Sequence, residues 1–179
     1  ICTLIDPDGV PDPITEPDKY TFQWYADEVQ LSDIGRSVKL TQEFVGKSLQ
    51  VKLNYQDDDG FDNRIESVIT TPVVNLNDDP TGNVTITGLA AQGHLLTADT
   101  SLISDVDGVG NFTYQWKRSS QANSGYTSIS GVVTGAYTLT QNDVGNYIRV
   151  ATRYIDGYGI NESVESNATS KISNINDLP

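Results

Sequence analysis

Aspartates recur in glycine-containing turns at several places in this sequence of 179 residues. The turns are Asp6-Pro-Asp8-Gly9, Asp57-Asp-Asp59-Gly60, Asp105-Val-Asp107-Gly108 and Asp156-Gly157. Carboxylates that converge on one point repel one another unless a cation neutralises them. Calcium accepts about six to eight oxygen ligands, whereas zinc and copper favour His or Cys. Because the chain has one His and one Cys, these residue types point to calcium.

The turns do not follow the EF-hand pattern. Phe61 and Val109 stand at the fifth position, where an EF-hand loop supplies an oxygen ligand. The alternative interpretation is an ordinary solvated turn, since Asp and Gly are favoured in turns for conformational reasons alone. The turns recur at matched positions in the sequence, and this recurrence favours a calcium site over ordinary solvated turns.

Two tandem copies of one pattern make up the chain. Leu40-Thr-Gln42 returns as Leu139-Thr-Gln141, a displacement of 99 residues that also relates the aspartate-rich turns. Thr21-Phe-Gln-Trp24 returns as Thr113-Tyr-Gln-Trp116 with a displacement of 92. Internal repetition of this kind indicates repeated structural units. We place the domains at residues 1–79 and 80–179.

The two copies differ in length at two loops. The first copy has seven additional residues within 10–17, and the second has seven within 119–128. Insertions of this kind belong on the surface. The first copy also has no counterpart of residues 81–99, so we expect it to lack its opening strand, through truncation or because an inserted domain interrupts it. Its exposed sheet edge would then offer a site for self-association.

The local pattern is that of β-structure throughout. Residues 20–24, 38–40, 49–55 and 148–154 alternate between apolar and polar side chains. Short strands separated by clusters of Gly, Asn, Asp and Pro are typical of antiparallel sandwiches. We therefore predict an all-β protein of two tandem Ig-like (cadherin-like) antiparallel β-sandwiches, the first lacking its opening strand.

Charge and composition exclude several classes of function. The chain has 24 acidic and 11 basic residues, a net charge of −13, so it lacks the cationic surface that nucleic acid requires. An anionic membrane surface is disfavoured for the same reason, and we expect no direct membrane insertion. The single cysteine, Cys2, rules out an intramolecular disulfide. His94 has no partner suited to nucleophilic catalysis, so we expect no enzyme.

The order of motifs resembles the Ig-like or cadherin-like extender repeats of large bacterial RTX adhesins. The motifs are Asp-x-Asp-Gly, Thr-x-Gln-Trp, Tyr-Thr-Leu-Thr-Gln-x-Asp-Val-Gly, Tyr-x-Asp, Glu-Ser and Asn-x-Asn-Asp-x-Pro, in residues 81–179 and less completely in 3–80. The resemblance implies an extracellular or bacterial cell-surface location, calcium at domain junctions and a part in adhesion and biofilm formation. Its implied partners are neighbouring domains of the same long chain. The Gly-Gly-x-Gly-x-Asp nonapeptides of the RTX region are absent from this sequence.

We expect the calcium site at the junction of the two copies. In a sandwich of this topology the aspartate-bearing loops emerge at the end where a domain begins. The predicted ligands there are Asp78, Asp79, Asp105, Asp107 and Asp156, with Asn75 and Asn77 contributing oxygens or backbone order. The equivalent site of the first copy would use Asp6, Asp8, Asp57 and Asp59.

The expected function is that of a calcium-rigidified structural extender, which holds the ligand-binding modules of a secreted or surface-attached bacterial adhesin away from the cell. The alternative is a binding module, in which the loop at residues 10–17 or 119–128 contacts a sugar or a peptide.

Overall fold

The computed structural model describes residues 6–12, 15–32 and 35–175. The chain divides into two compact units, Ile1–Leu76 and Asn77–Pro179. The described residues form antiparallel β-sheets with three single-turn 3-10 helices, at Pro17–Lys19, Gln42–Phe44 and Gln141–Asp143. None of the helices in these residues has the length and apolar character needed to cross a membrane.

Eleven strands lie in the described part of the chain. The first unit holds β1 (Tyr20–Ala26), β2 (Val29–Gln30), β3 (Leu49–Gln56) and β4 (Asp62–Glu66). The second unit holds β5 (Thr85–Thr87), β6 (Leu95–Asp99), β7 (Thr113–Ser119), β8 (Thr127–Ser128), β9 (Ala136–Thr138), β10 (Tyr147–Ile155) and β11 (Asn161–Glu165). The strands predicted at residues 20–24, 49–55 and 148–154 are confirmed as parts of β1, β3 and β10.

Two antiparallel sheets share one hydrophobic core in the second unit. One sheet has the strand order β11-β10-β7-β8 and the other has the order β5-β6-β9. Their apolar side chains meet around Leu96, Trp116, Ile148 and Val150, which are buried. Inward-facing apolar residues alternating with outward-facing polar ones are what sheet-on-sheet packing requires. The second unit is therefore consistent with a β-sandwich.

The first unit has the same central pairing but a less buried face. Trp24 lies opposite Val51 in the β1–β3 register, as Trp116 lies opposite Val150 in β7–β10. Trp116 and Val150 are 0% exposed, whereas Trp24 and Val51 are only half-buried. The described residues of the first unit form a single sheet, β2-β1-β3-β4, and include no counterpart of the β5-β6-β9 sheet. Among the described residues, one face of the first unit's sheet is therefore less covered than the matching face in the second unit.

The prediction of a strand at residues 38–40 is wrong, because these residues lie in no strand. The corresponding segment of the second unit is β9, which forms because it pairs with β6. The described residues of the first unit include no counterpart of β6, and residues 38–40 pair with none of them. Val38 instead packs against the small core of the first unit, which is formed by Ala26, Phe44 and Leu49.

Candidate metal centre

Strands β10 and β11 form a hairpin whose turn fixes the carboxylate of Asp156. The backbone N–H groups of Tyr158 and Ile160 donate to Asp156 Oδ1 at 2.9 and 2.7 Å. The other oxygen, Oδ2, is buried and has no hydrogen-bond partner. Asp156 is 7% exposed, so this oxygen is an acceptor that water does not satisfy at the surface.

A second turn, residues 105–108, lies before strand β7 and is anchored by Asp105. The Asp107 N–H donates to Asp105 Oδ1 at 2.8 Å, and the Tyr154 hydroxyl donates to Asp105 Oδ2 at 2.5 Å. Gly108 closes the turn with φ of +98°, a conformation that favours glycine. Asp105 thereby holds this turn against strand β10.

Direct backbone contact brings the two turns together. The Gly157 N–H donates to the Asp107 carbonyl oxygen at 2.9 Å. A Cβ atom at position 157 would lie 2.6 Å from that oxygen, so only glycine allows this approach. Asp107 is 4% exposed, and its Oδ2 accepts a hydrogen bond from the Asp78 N–H at 2.7 Å. The turns that carry Asp107 and Asp156 therefore adjoin, and Asp78 is held beside them.

Glu162 is a further carboxylate at this place, and it belongs to none of the aspartate-rich motifs in the sequence. It lies in β11 directly opposite Tyr154 and is 8% exposed. Its Oε1 accepts a hydrogen bond from Asn77 Nδ2 at 3.0 Å. The signal that could have found it is a difference between the copies, because the matching position of the first copy is Asn63.

Negative charge accumulates around the hydroxyl of Tyr154. Burial raises the pKa of Tyr154, and the hydrogen bond to Asp105 together with the charges of Asp105, Glu162 and Asp156 raises it further. Neither Asp156 nor Glu162 forms an ion pair with a Lys or Arg of the described residues. Buried carboxylates without a cationic partner are costly, so a bound cation would lower the energy of this site.

The donor set suits a hard cation. Asp107, Asp156 and Glu162 offer carboxylate oxygens, the ligands that calcium prefers, and Asp156 Oδ2 is free to accept. Within residues 6–12, 15–32 and 35–175, no group of three or more His, Cys, Asp or Glu side chains is already arranged to hold a metal ion. The carboxylates would therefore have to close around an ion.

The sequence-predicted ligands of the second copy divide into two groups. Three of them lie in the adjoining turns, namely Asp105, Asp107 and Asp156. Asn77 contacts Glu162 through its side-chain amide, and Asp78 contacts Asp107 through its backbone N–H. Asp78 and Asp79 are both exposed. Asn75 belongs to the first unit, where its Oδ1 accepts a hydrogen bond from Gln42 Nε2 at 2.9 Å.

The first unit repeats the framework of these turns. The Asp8 N–H donates to Asp6 Oδ1 at 3.1 Å, and the Tyr55 hydroxyl donates to Asp6 Oδ2 at 2.6 Å. The Phe61 N–H donates to Asp57 Oδ1 at 2.8 Å. The hydrogen bond to Asp6 is the largest of the influences that raise the pKa of Tyr55 to about 12. Each of these bonds has a counterpart in the second unit.

The carboxylates of the first unit end up in different surroundings. Asp57 is 4% exposed, but its Oδ2 accepts a hydrogen bond from Asn63 Nδ2 at 2.9 Å. Asp8 and Asp59, which the sequence assigned to the same site, are exposed. The first unit therefore satisfies its buried carboxylate with an amide donor of its own.

The inserted loops were the basis of the alternative, ligand-binding interpretation. Within residues 119–128, the Tyr126 hydroxyl donates to the Ala122 carbonyl oxygen at 2.9 Å, and the Arg149 guanidinium lies 4.7 Å from the Tyr126 ring centroid. Tyr126 thus links this loop to itself and to Arg149 of strand β10. The loop at residues 10–17 includes positions 13 and 14, which lie outside the described residues. Ligand binding by either loop stays a prediction.

A scan against protein-family models finds no match for this chain, and neither does a search of curated proteins.

Proposed function

We propose that this chain is a calcium-rigidified extender segment, made of two tandem Ig-like (cadherin-like) units, from a secreted or surface-attached bacterial adhesin. Its role is structural and not enzymatic. The observation that carries the proposal is Asp156 Oδ2, which is buried and has no hydrogen-bond donor. Leaving a buried acceptor unsatisfied costs about 1–3 kcal/mol, and more for a charged group. A cation at this position offsets that cost.

The residues around the two turns have separate tasks in this proposal. Asp107, Asp156 and Glu162 supply the charged oxygens, because each is more than nine-tenths buried. Asp105 and Tyr154 hold the turn at residues 105–108 in place through their mutual hydrogen bond. When bound, calcium supplies two positive charges to this cluster. Extracellular calcium modules bind with dissociation constants of about 10⁻⁴–10⁻³ M, which suits a bacterial cell-surface setting.

Stiffness would come from the residues that follow the first unit. Asn77 donates to Glu162, and the Asp78 N–H donates to Asp107, so two consecutive residues are bonded to proposed calcium ligands. A cation that fixes these carboxylates also restricts Asn77 and Asp78. Pro80, with its fixed φ, restricts the chain further. The partners of such a segment are the neighbouring domains of the same chain.

Small-angle scattering of the full chain tests this role. In calcium we expect one well-defined maximum dimension, and in chelator a broader distribution, because repulsion between the carboxylates would release the segment at residues 77–80. Asp156→Asn is the control variant, since it removes a proposed ligand charge and should make the profile insensitive to calcium. Identical profiles with calcium and with chelator would contradict the proposal.

A further inference from the structure

The two copies present the same structural position with different side chains. In the second unit Glu162 pairs with Tyr154 across the hairpin, and in the first unit Asn63 pairs with Tyr55. The turns beside these positions have the same backbone bonds, at 2.7 Å to Asp156 Oδ1 and at 2.8 Å to the equivalent oxygen of the first unit. Positions 63 and 162 can therefore be compared directly.

The difference lies in what each side chain can donate. Asn63 has an amide N–H, and it donates to Asp57 Oδ2 at 2.9 Å. A glutamate carboxylate is an acceptor only, so Glu162 cannot do the same for Asp156. The corresponding oxygen, Asp156 Oδ2, accordingly has no donor although it is buried. One copy satisfies its carboxylate internally, and the other has a second carboxylate in place of the donor.

A second difference separates the two pairs of turns. Position 157 is glycine, and its N–H reaches the carbonyl oxygen of Asp107. The equivalent residue of the first copy is Asp58, whose carboxylate lies over Gly9: a Cβ atom on Gly9 would be 2.2 Å from Asp58 Oδ2. The turns of the second unit are thereby closed around Asp107, which is buried, whereas Asp8 in the first unit is exposed.

We propose that one structural position, occupied by Asn63 in the first unit and by Glu162 in the second, determines which unit binds calcium. The second unit binds the ion, and the first unit does not. This inference depends on the proposed function, in that it concerns the same kind of calcium site. In the first unit the Asn63 amide N–H satisfies the buried carboxylate of Asp57, so that no cation is needed there. In the second unit Glu162 adds negative charge, and the cation is needed. Calcium then controls the order of the second unit, while the first unit is independent of it.

Calcium titration of the full chain, followed by ¹⁵N–¹H correlation NMR, reads the two sites separately. The N–H groups of Tyr158 and Ile160 bond to Asp156, and the N–H of Phe61 bonds to Asp57. We expect saturable shifts of the Tyr158 and Ile160 signals. We expect the Phe61 signal to stay in place over the same range of calcium concentration.

Two substitutions test the role of this position. Glu162→Gln keeps an oxygen that accepts from Asn77 but removes the charge. The calcium affinity measured from the Ile160 signal should therefore fall on the order of tenfold or more. Asn63→Glu combined with Asp58→Gly gives the first unit the side chains of the second, and Phe61 should then shift with calcium. Asp58→Gly alone is the matched control, and in this variant Phe61 should stay in place because Asn63 is retained.

The outcomes separate the inference from the proposed function. Shifts at both turns of the unmodified chain would overturn the inference and leave the calcium role standing. Shifts at neither turn would remove the calcium role itself. Should Asn63→Glu with Asp58→Gly fail to fold, the isosteric variant Asn63→Asp also removes the donor and adds a charge. If the folded variant shows no calcium-dependent shift of the Phe61 signal, the role assigned to positions 63 and 162 is overturned.

Discussion

Replacing Asp143 with alanine is expected to destabilise the second unit by about 3 kcal/mol. Asp143 is 0% exposed, and its Oδ1 forms an ion pair with Arg118 Nη1 at 3.0 Å. Its Oδ2 accepts hydrogen bonds from the Tyr137 hydroxyl at 2.6 Å and from the Thr140 N–H at 2.7 Å. Removing the carboxylate leaves several donors without an acceptor, which costs more than the loss of one hydrogen bond. Urea denaturation at neutral pH measures the change.

The first copy supplies the comparison for this prediction. The counterparts of Asp143 and Arg118 are Phe44 and Ala26, which pack together in the core of the first unit. Replacing both members of a buried polar pair costs less than removing one. We therefore expect Arg118→Ala with Asp143→Ala to lose less stability than the sum of the two single changes. If Asp143→Ala alone lowers the free energy of unfolding by less than about 1 kcal/mol, the hydrogen bonds and the ion pair of Asp143 do not have the stabilising role given to them here.

The contribution of Asp143 should also depend on pH. Burial by itself would raise the pKa of Asp143, but hydrogen bonds from Tyr137, Thr140 and Arg118 lower it, and the net shift is downward. A carboxylate with a lower pKa in the folded state stabilises that state above the unfolded pKa, about 3.9. The stability difference between the unmodified chain and Asp143→Ala should thus be full at neutral pH. It should shrink as the pH falls below about 4.

Asp156→Asn should have opposite effects on stability in chelator and in calcium. In chelator the change removes a buried charge whose Oδ2 has no donor, and it should stabilise the second unit by about 1–2 kcal/mol. In calcium at about 100 times the dissociation constant, the unmodified chain gains about 2.7 kcal/mol of stability. The variant should not gain it, because a proposed ligand charge is lost. Urea denaturation in the two buffers gives all four values.

The equivalent change in the first unit is the control. Asp57→Asn replaces a carboxylate oxygen that already accepts from Asn63, so it should destabilise the first unit whether calcium is present or not. Stabilisation of the second unit by Asp156→Asn in both buffers would remove the reason for placing a cation there. Destabilisation in both would mean that Oδ2 has a favourable role without an ion.

The strands were predictable wherever alternation coincided with an available partner. β1, β3 and β10 follow the pattern in the sequence because each lies within a paired sheet. Residues 38–40 have a similar pattern, but they form no strand, since pairing requires a neighbouring strand and the described residues of the first unit include none at this position. Alternation of apolar and polar residues indicates which side of a strand faces the core. It does not indicate whether a neighbouring strand is present to pair with it.

The candidate site was predictable in part. The recurrence of Asp105, Asp107 and Asp156 at matched positions drew attention to the two turns. Glu162 was missed, because its closeness to the turns depends on the β10–β11 register and not on any local motif. Asp57 stands at the position that matches Asp156, but the amide at position 63 changes its surroundings. Copies that share a motif thus differ in chemistry through a residue outside it.

Calorimetric titration of calcium into the chelator-treated full chain measures whether the buried carboxylates of Asp107, Asp156 and Glu162 bind calcium, as we propose. We predict saturable binding by the unmodified chain, with loss of this binding in Asp156→Asn and a marked weakening in Glu162→Gln. Absence of binding by the folded, unmodified chain, or equal binding by Asp156→Asn, would contradict the claim.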